Sequence, residues 1–179
     1  MLMRADLLKK YGLLDKDYFI YHDDLEYCLR LKIVGYKAVL VPNSIFWHKY
    51  SFDTKPEKYY LMERNRKIVL LTYYKIPTLL LILPLFLVME FGLILFSILN
   101  GWFKQKLKEY YFWLHKSSWE MVFQKRKYIQ TKRTVGDKKL LKDVATKVDF
   151  ADIDNFVLRY IANPLMTVYW GIVSKIICW

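Results

Sequence analysis

The chain has 179 residues, room for one domain or for a small domain with an appendage. It is 55% hydrophobic and 18% aromatic yet 26% charged, more apolar than an ordinary soluble domain, which points to a membrane contribution. Its 29 basic residues outnumber 17 acidic ones, and the net charge of +12 suits anionic partners such as the cytoplasmic leaflet, phosphorylated ligands or nucleic acid. The two cysteines, Cys28 and Cys178, are far apart and fit no metal or redox spacing. No disulfide framework is visible, which is compatible with a reducing compartment. MLMRADLLKK carries no apolar signal-peptide core, so nothing argues for secretion by cleavage.

Residues 4 to 11 read as a short helix ended by Gly12, with Leu7, Leu8 and Tyr11 on one side. LLDKDYFIY is then loop and short extended segment. Asp23 or Asp24 is suited to cap a helix running to about Val34, on which Leu25, Cys28, Leu29 and Ile33 follow helical spacing. Cys28 falls on its apolar side as a small hydrophobe. Gly35 can take the left-handed conformation that stops it. Tyr36 to Val41 is an apolar, β-branched run expected to form a buried strand closed by Pro42. Residues 43 to 55 have the composition of an active-site loop, and a helix is expected from Pro56 to Lys75.

Residues 77 to 99 contain one charge, Glu90, in 23 residues, long enough to span a hydrocarbon layer of ~30 Å. Pro84 is expected to kink this segment, and an unpaired Glu90 near the centre would cost about 2.5–3.5 kcal/mol. The flanks complicate a single crossing. Residues 1 to 76 hold 14 basic and 9 acidic residues, and residues 100 to 155 hold 13 and 7, whereas one crossing normally leaves one side depleted of Lys and Arg. A re-entrant or interfacial hairpin bent near Pro84, or a second crossing from about Ile161 to Trp179, keeps both basic regions on the cytoplasmic face. Residues 102 to 130 interleave Trp102, Phe103, Tyr110, Trp113 and Leu114 with lysines at helical spacing, the composition of a helix at the headgroup level. The alternative is a solvated helix packed on its own domain. QKRKYIQTKR, residues 124 to 133, is a basic cluster suited to anionic lipid or phosphate, or simply a solvated face. Nucleic acid is not favoured as a partner, because the basic residues alternate with lipid-type aromatics and no recognised motif is present.

Asp23 and Asp24 carry the chemistry that is readable here. Backbone N–H groups and the macrodipole at a helix start favour negative charge, so Asp24 has a fixed direction and suits a base that takes a proton from a sugar or lipid hydroxyl. An ordinary helix cap is the competing explanation for an isolated Asp-Asp pair.

The surroundings of that pair resemble the second half of an inverting glycosyltransferase of family two, closest to its rhamnosyltransferase-like members. The family pattern runs G-x-F-D-E-x-[FY]-F-I-Y-x-E-D-x-D-L-x-x-R-x-x-x-x-G-Y, then a strand ending in Pro, then a His. Here Gly12, Asp15, Phe19, Ile20, Tyr21, Asp23, Asp24, Glu26, Arg30, Gly35, Tyr36, Pro42 and His48 stand in that order, and Tyr59 to Arg66, YYLMERNR, is similar to the family's Y-Y-x-x-R-N element. The resemblance covers about residues 3 to 75. It implies an α/β fold, the C-terminal portion of a GT-A nucleotide-diphospho-sugar transferase domain, followed by mostly helical membrane-associated segments.

It also implies roles. Asp24 matches the catalytic base, Asp23 replaces a Glu beside it, and Glu26 replaces a family Asp. His48 matches a histidine that completes a divalent-metal site for Mg or Mn. Trp47 can line the sugar site, and Tyr60, Arg64 and Asn65 match the Y-x-x-R-N positions, Arg64 being suited to diphosphate or acceptor. The family's nucleotide-binding units and Asp-x-Asp pair have no counterpart ahead of Asp24, and Asp152-Ile153-Asp154 reads as incidental. Residues 1–76 are therefore expected to be the acceptor and metal side of a catalytic domain, 77–99 a membrane segment, 100–155 a basic amphipathic region and 156–179 an apolar tail. The expected activity is sugar transfer from a nucleotide-diphospho-sugar to a lipid-linked or polysaccharide acceptor, with the catalytic part facing the cytoplasm; lacking the donor half, the chain is expected to be a fragment, a truncated reading frame or one piece of a split enzyme, inactive by itself. A non-catalytic membrane-bound interaction module is the alternative.

Overall fold

Glycine and proline punctuate several of the helices among the described residues. The computed structural model describes residues 2–47, 56–142, 144, 145, 147, 156 and 158–179. In order these are α1 (Ala5–Tyr11), α2 (Asp23–Ile33), α3 (Pro56–Tyr73), α4 (Ile76–Leu99), α5 (Phe103–Leu114), α6 (Lys116–Lys132), α7 (Asp137–Leu140), a π-helical turn (Leu158–Ala162) and α8 (Asn163–Ile176). Gly12 and Gly35 follow α1 and α2 at φ +88° and +97°, backbone that a side chain resists.

The expected α/β class, a portion of a GT-A domain, is overturned: every regular element among the described residues is helical and none is a strand. The run Tyr36–Val41 has the β-branched composition of a strand but meets no ladder partner there. Val39 and Leu40 stand 76% and 87% exposed instead of buried. A strand exists only by pairing, and composition cannot supply the neighbour.

The chain divides into two compact units, residues Met1–Tyr73 with Ile94–Thr134, and Tyr74–Leu93 with Val135–Trp179. In the first, α3 packs along both α5 and α6, while α2 packs against α3 and α6. Tyr18, Tyr27, Ile33, Ile68, Tyr73, Val122 and Ile129 form its core, each apolar side chain contributing about 1.5–3 kcal/mol on burial. Helices α5 and α6, separable by composition, thus share a core with α1–α3.

Two polar systems brace this unit. Glu63 on α3 pairs with Lys106 of α5 at 2.9 Å and Arg66 at 2.8 Å, and Glu109 pairs with Lys67 at 2.9 Å and Lys106 at 3.6 Å. Lys106 and Glu109 are fully buried. The basic cluster on α6 forms the second system. Arg126, Gln130 and Arg133 donate to the carbonyls of Leu71, Thr72 and Tyr73, which are among the last four of α3 and have no intrahelical partner. Cations there also complement the helix dipole.

In the second unit, the Asp137 carboxylate accepts the Lys75 amide at 2.8 Å just ahead of α4. Trp179 donates its indole N–H to the Thr78 hydroxyl at 2.9 Å. The Tyr169 hydroxyl donates to the carbonyl of Leu81, in the turn that Pro84 weakens by lacking an N–H. Helix α4 runs unbroken through Pro84, so this residue marks no hairpin bend. With 24 residues, and a mean hydropathy of 2.7 over its most apolar stretch, α4 is long and apolar enough to cross a membrane, at about 36 Å for a 1.5 Å rise. Its buried residues are Thr78, Glu90 and Ser97, while Leu83, Leu87, Phe91 and Leu95 face outward. Polar inside and apolar outside is the order lipid favours.

Replacing Lys106 by Ala removes the buried cation shared by Glu63 and Glu109 and leaves Glu63 with Arg66 and Glu109 with Lys67. The expected loss is about 3–5 kcal/mol, seen as a lowered denaturant midpoint of the detergent-solubilised chain, whereas Lys104→Ala on the exposed face of α5 leaves the midpoint within about 0.5 kcal/mol.

Candidate functional site

The loop from Asp15 to His22 holds the positive-φ non-glycine residues found among the described residues. Phe19, Tyr21 and His22 have φ of 59°, 65° and 64°, left-handed values that cost a non-glycine residue about 1–3 kcal/mol each. The Ile20 amide bonds the Tyr18 carbonyl at 2.7 Å, closing a γ-turn about Phe19 in its rarer left-handed form. Tyr18 anchors the loop in the core at 1% exposure, leaving Phe19 and Ile20 outside.

Asn65 holds this shape. Fully buried on α3, it donates its amide to the carbonyls of Tyr18 at 2.9 Å, Ile20 at 3.0 Å and Tyr21 at 2.8 Å. Arg64 donates to the carbonyl of Asp17 at 2.7 Å and, through Nε and Nη2, to the Asn65 amide oxygen at 3.0 and 2.8 Å. That second pair of bonds fixes which way the Asn65 amide points. The Arg-Asn element therefore binds the loop, and what it can offer a ligand is position. Tyr60, beside it, is half-buried under the cations of Arg64 and Lys108, 5.6 and 4.6 Å from its ring centre.

Helix α2 starts directly after this loop. Its N-cap is His22, not an aspartate, and His22 makes no side-chain cap bond. Asp23 and Asp24 occupy the first turn, where orphan N–H groups favour negative charge. The Asp24 carboxylate is exposed and accepts the Leu25 amide at 2.7 Å. Burial and the Arg66 cation hold the His22 imidazole below its ordinary pKa, against the opposing pull of Asp24, Glu63 and Asp23. Its Nδ1 is buried with no partner among the described residues.

Glu26, two residues past Asp24, projects from the opposite side of α2. It is 4% exposed and takes a bidentate pair from Arg30 and the hydroxyl of Tyr73. Arg30 also donates to the carbonyls of Tyr11 and Leu13 at 3.2 and 2.8 Å. Burial, then the Glu26 charge, push the Tyr73 hydroxyl pKa far above the usual tyrosine value, so it stays a donor. Across a cavity of about 190 Å³ that Tyr18, Glu26, Arg30 and Thr72 help line, Lys125 of α6 pairs with Asp15 and with Asp17. The Tyr18 and Thr72 hydroxyls meet no partner among the described residues. The i,i+4 spacing of Glu26 and Arg30 on one helix is a signal that could have revealed their pair, which the family pattern did not; nothing in the sequence tied Lys125 to residues 110 positions earlier.

The remaining sequence candidates separate. Trp47 is 90% exposed. His48 lies outside the described residues, as do Asp152 and Asp154. No group of three His, Cys, Asp or Glu side chains gathers to hold a metal among the described residues, so no donor set for a divalent ion is on view beside Asp23 and Asp24. No protein-family model, curated protein or solved structure matches the chain. The site's class rests on its own residues: an exposed carboxylate at a helix start, on a rigidly held loop.

Two outcomes follow from these contacts. Asn65→Ala leaves buried carbonyls short of donors, at about 1–3 kcal/mol, and hydrogen exchange at residues 18–26 should rise before that of α5. Acid should also weaken the first unit. Burial raises the pKa of Asp15 and Glu63, but the partners outweigh it, Lys125 foremost at Asp15 and Arg66 with Lys106 at Glu63, and both carboxyls end below their ordinary values. Their stabilisation is complete above about pH 4.5 and lost as pH falls through the depressed values. Lys125, raised by the same aspartates against burial, contributes below its ordinary value and loses that as pH rises through the raised one. A denaturant midpoint measured against pH should fall on the acid side, and less steeply in Lys125→Met.

Proposed function

We propose that this chain supplies the acceptor-side, membrane-anchored portion of an inverting glycosyltransferase, with Asp24 as the general base. The observation that carries the reading is the exposed Asp24 carboxylate on the first turn of α2, behind a strained loop clamped by Asn65 and Arg64. A base needs one fixed direction and open access to a hydroxyl, and strain retained at such a loop is characteristic of working sites. The ordered resemblance across residues 3 to 75 supports the same assignment.

In this reading an acceptor hydroxyl approaches the α2 N-terminus. Asp24 takes its proton as the oxygen attacks the anomeric carbon, and the nucleoside diphosphate leaves from the opposite face. Asp23 borders the acceptor, and the half-buried His22 flanks the approach. A divalent ion, Mg or Mn, would offset charge on the departing diphosphate, with His48 as this chain's candidate ligand. The described residues assemble no further ligand, so the chemistry assigned to them is proton removal and acceptor positioning. Donor binding falls to a nucleotide-binding half supplied alongside. The exposed apolar run Val39–Val41 and Ile45–Trp47 supports such a neighbour, since apolar patches this extended mark interaction surfaces. The acceptor is a lipid-linked or polysaccharide glycan, in keeping with the apolar α4, and the active side faces the cytoplasm.

Co-expressed with a nucleotide-binding half and assayed on lipid extract, Asp24→Asn should lower transfer by about 10²–10⁴-fold while donor binding, measured by calorimetry, holds. Full activity in Asp24→Asn excludes it as the base.

A further inference from the structure

We propose that the exposed edge formed by α5 and α6 is a docking surface for the anionic headgroup layer of the bilayer entered by α4. This stands apart from sugar transfer and concerns only how the first unit is seated.

The edge has the same makeup on both helices. On α5, Leu107, Tyr111 and Leu114 recur at helical spacing and are exposed, Leu114 at 81%. Lys104 and Lys108 adjoin them on one side of the same arc. On α6, Trp119 and Phe123 are exposed, with Lys116 and Lys127 adjoining in the same sense. An apolar strip bordered by lysines is what an interfacial helix presents, rings and leucines toward acyl chains and ammonium groups toward phosphates. Residues 103 to 132 hold eight basic and two acidic residues, and the acidic Glu109 is consumed by buried pairs. The pair left on this surface, Lys116 with Glu120 at 3.5 Å, is exposed and worth little.

The junction of the two helices is pre-formed. Trp113 and Trp119 lie 5.2 Å apart, Phe123 follows at 6.0 Å, and the Trp119 indole donates to the Trp113 carbonyl at 2.8 Å. Rings already fixed lose little freedom on docking. The bilayer as occupant follows from continuity. The last turn of α4 exposes Leu95, Ile98 and Leu99, and three residues, Asn100 to Trp102, separate it from α5. Trp102 stacks on Tyr59 at 4.3 Å and meets Phe96 of α4 at 6.0 Å, so the end of the apolar helix is tied to the unit that bears the edge. Three residues reach at most about 11 Å, and α5 cannot start far from the plane where α4 leaves hydrocarbon.

The test uses the full chain with Cys28→Ser and Cys178→Ser, carrying an environment-sensitive label at Phe123→Cys or Leu114→Cys. It is reconstituted into vesicles of phosphatidylcholine with or without phosphatidylglycerol, each variant matched to the parent in helical circular dichroism. Both labels should emit blue-shifted and be quenched by brominated acyl chains in preference to iodide, about twofold more with phosphatidylglycerol present. Replacing Lys104, Lys108, Lys116 and Lys127 by Gln should remove that difference. In the chain with native cysteines, Trp119→Phe should reduce the tryptophan emission that brominated lipid can quench. Iodide-accessible labels in both vesicles overturn the proposal. So does lipid quenching indifferent to phosphatidylglycerol, or a blue shift that neither quencher reaches, which would assign the edge to another protein copy.

Discussion

The side-chain amide of Asn65 allows residues 18 to 22 to keep a backbone that their own chemistry resists. Three non-glycine residues in left-handed geometry would relax to ordinary values if their carbonyls were free to find other donors. Asn65 removes that freedom by engaging Tyr18, Ile20 and Tyr21 together, and Arg64 adds Asp17 while locking the amide's orientation. The donors sit on α3, which is itself held along its length by α5 and α6. The direction of the first turn of α2 is thus set by packing remote from it, which is how a carboxylate can be rigid and still exposed.

The two faces of α2 divide the labour. Glu26 looks inward and is neutralised by Arg30, whose remaining donors reach the end of α1 and the following loop. Asp24 looks outward and accepts a neighbouring amide. Burying a carboxylate is tolerable because a bidentate cation accompanies it, and the same logic governs Lys125 between Asp15 and Asp17. An Asp at position 26 would be one methylene short of the Arg30 guanidinium and Tyr73 hydroxyl, so the replacement of the resembling family's Asp by Glu here fits a packing role.

Punctuation was legible in the sequence: Gly12, Gly35 and Pro56 mark helix boundaries because their backbone limits act locally. The helix start at Asp23 and Asp24 was legible too, although His22 and not an aspartate is its N-cap. What depended on a distant partner was not. The run Tyr36–Val41 has a strand's composition and finds no strand beside it. Arg64 and Asn65 looked like ligand contacts, yet their donors go to a loop more than forty residues away. The cluster from Gln124 to Arg133 read as an anion patch or a solvated face, yet Arg126, Gln130 and Arg133 close the end of α3. Charge alone cannot tell a phosphate from a row of orphan carbonyls, since both offer negative oxygen to the same donors.

One rule links the ion network to the apolar helix. Where water is scarce, a polar group must be partnered or turned inward. Lys106 meets that rule by bridging Glu63 and Glu109, and α4 meets it by burying Thr78, Glu90 and Ser97 while its leucines face out. The low amphipathic contrast of both α3 and α4 has the same origin. Helix α3 buries charged residues beside apolar ones, and α4 carries apolar residues on nearly every face, so neither sequence shows a stripe. A reading that equates apolar with inside would invert α4 and leave Glu63 without a reason. Taking lipid as the solvent of α4, and α5 as the counter-charge of α3, accounts for both.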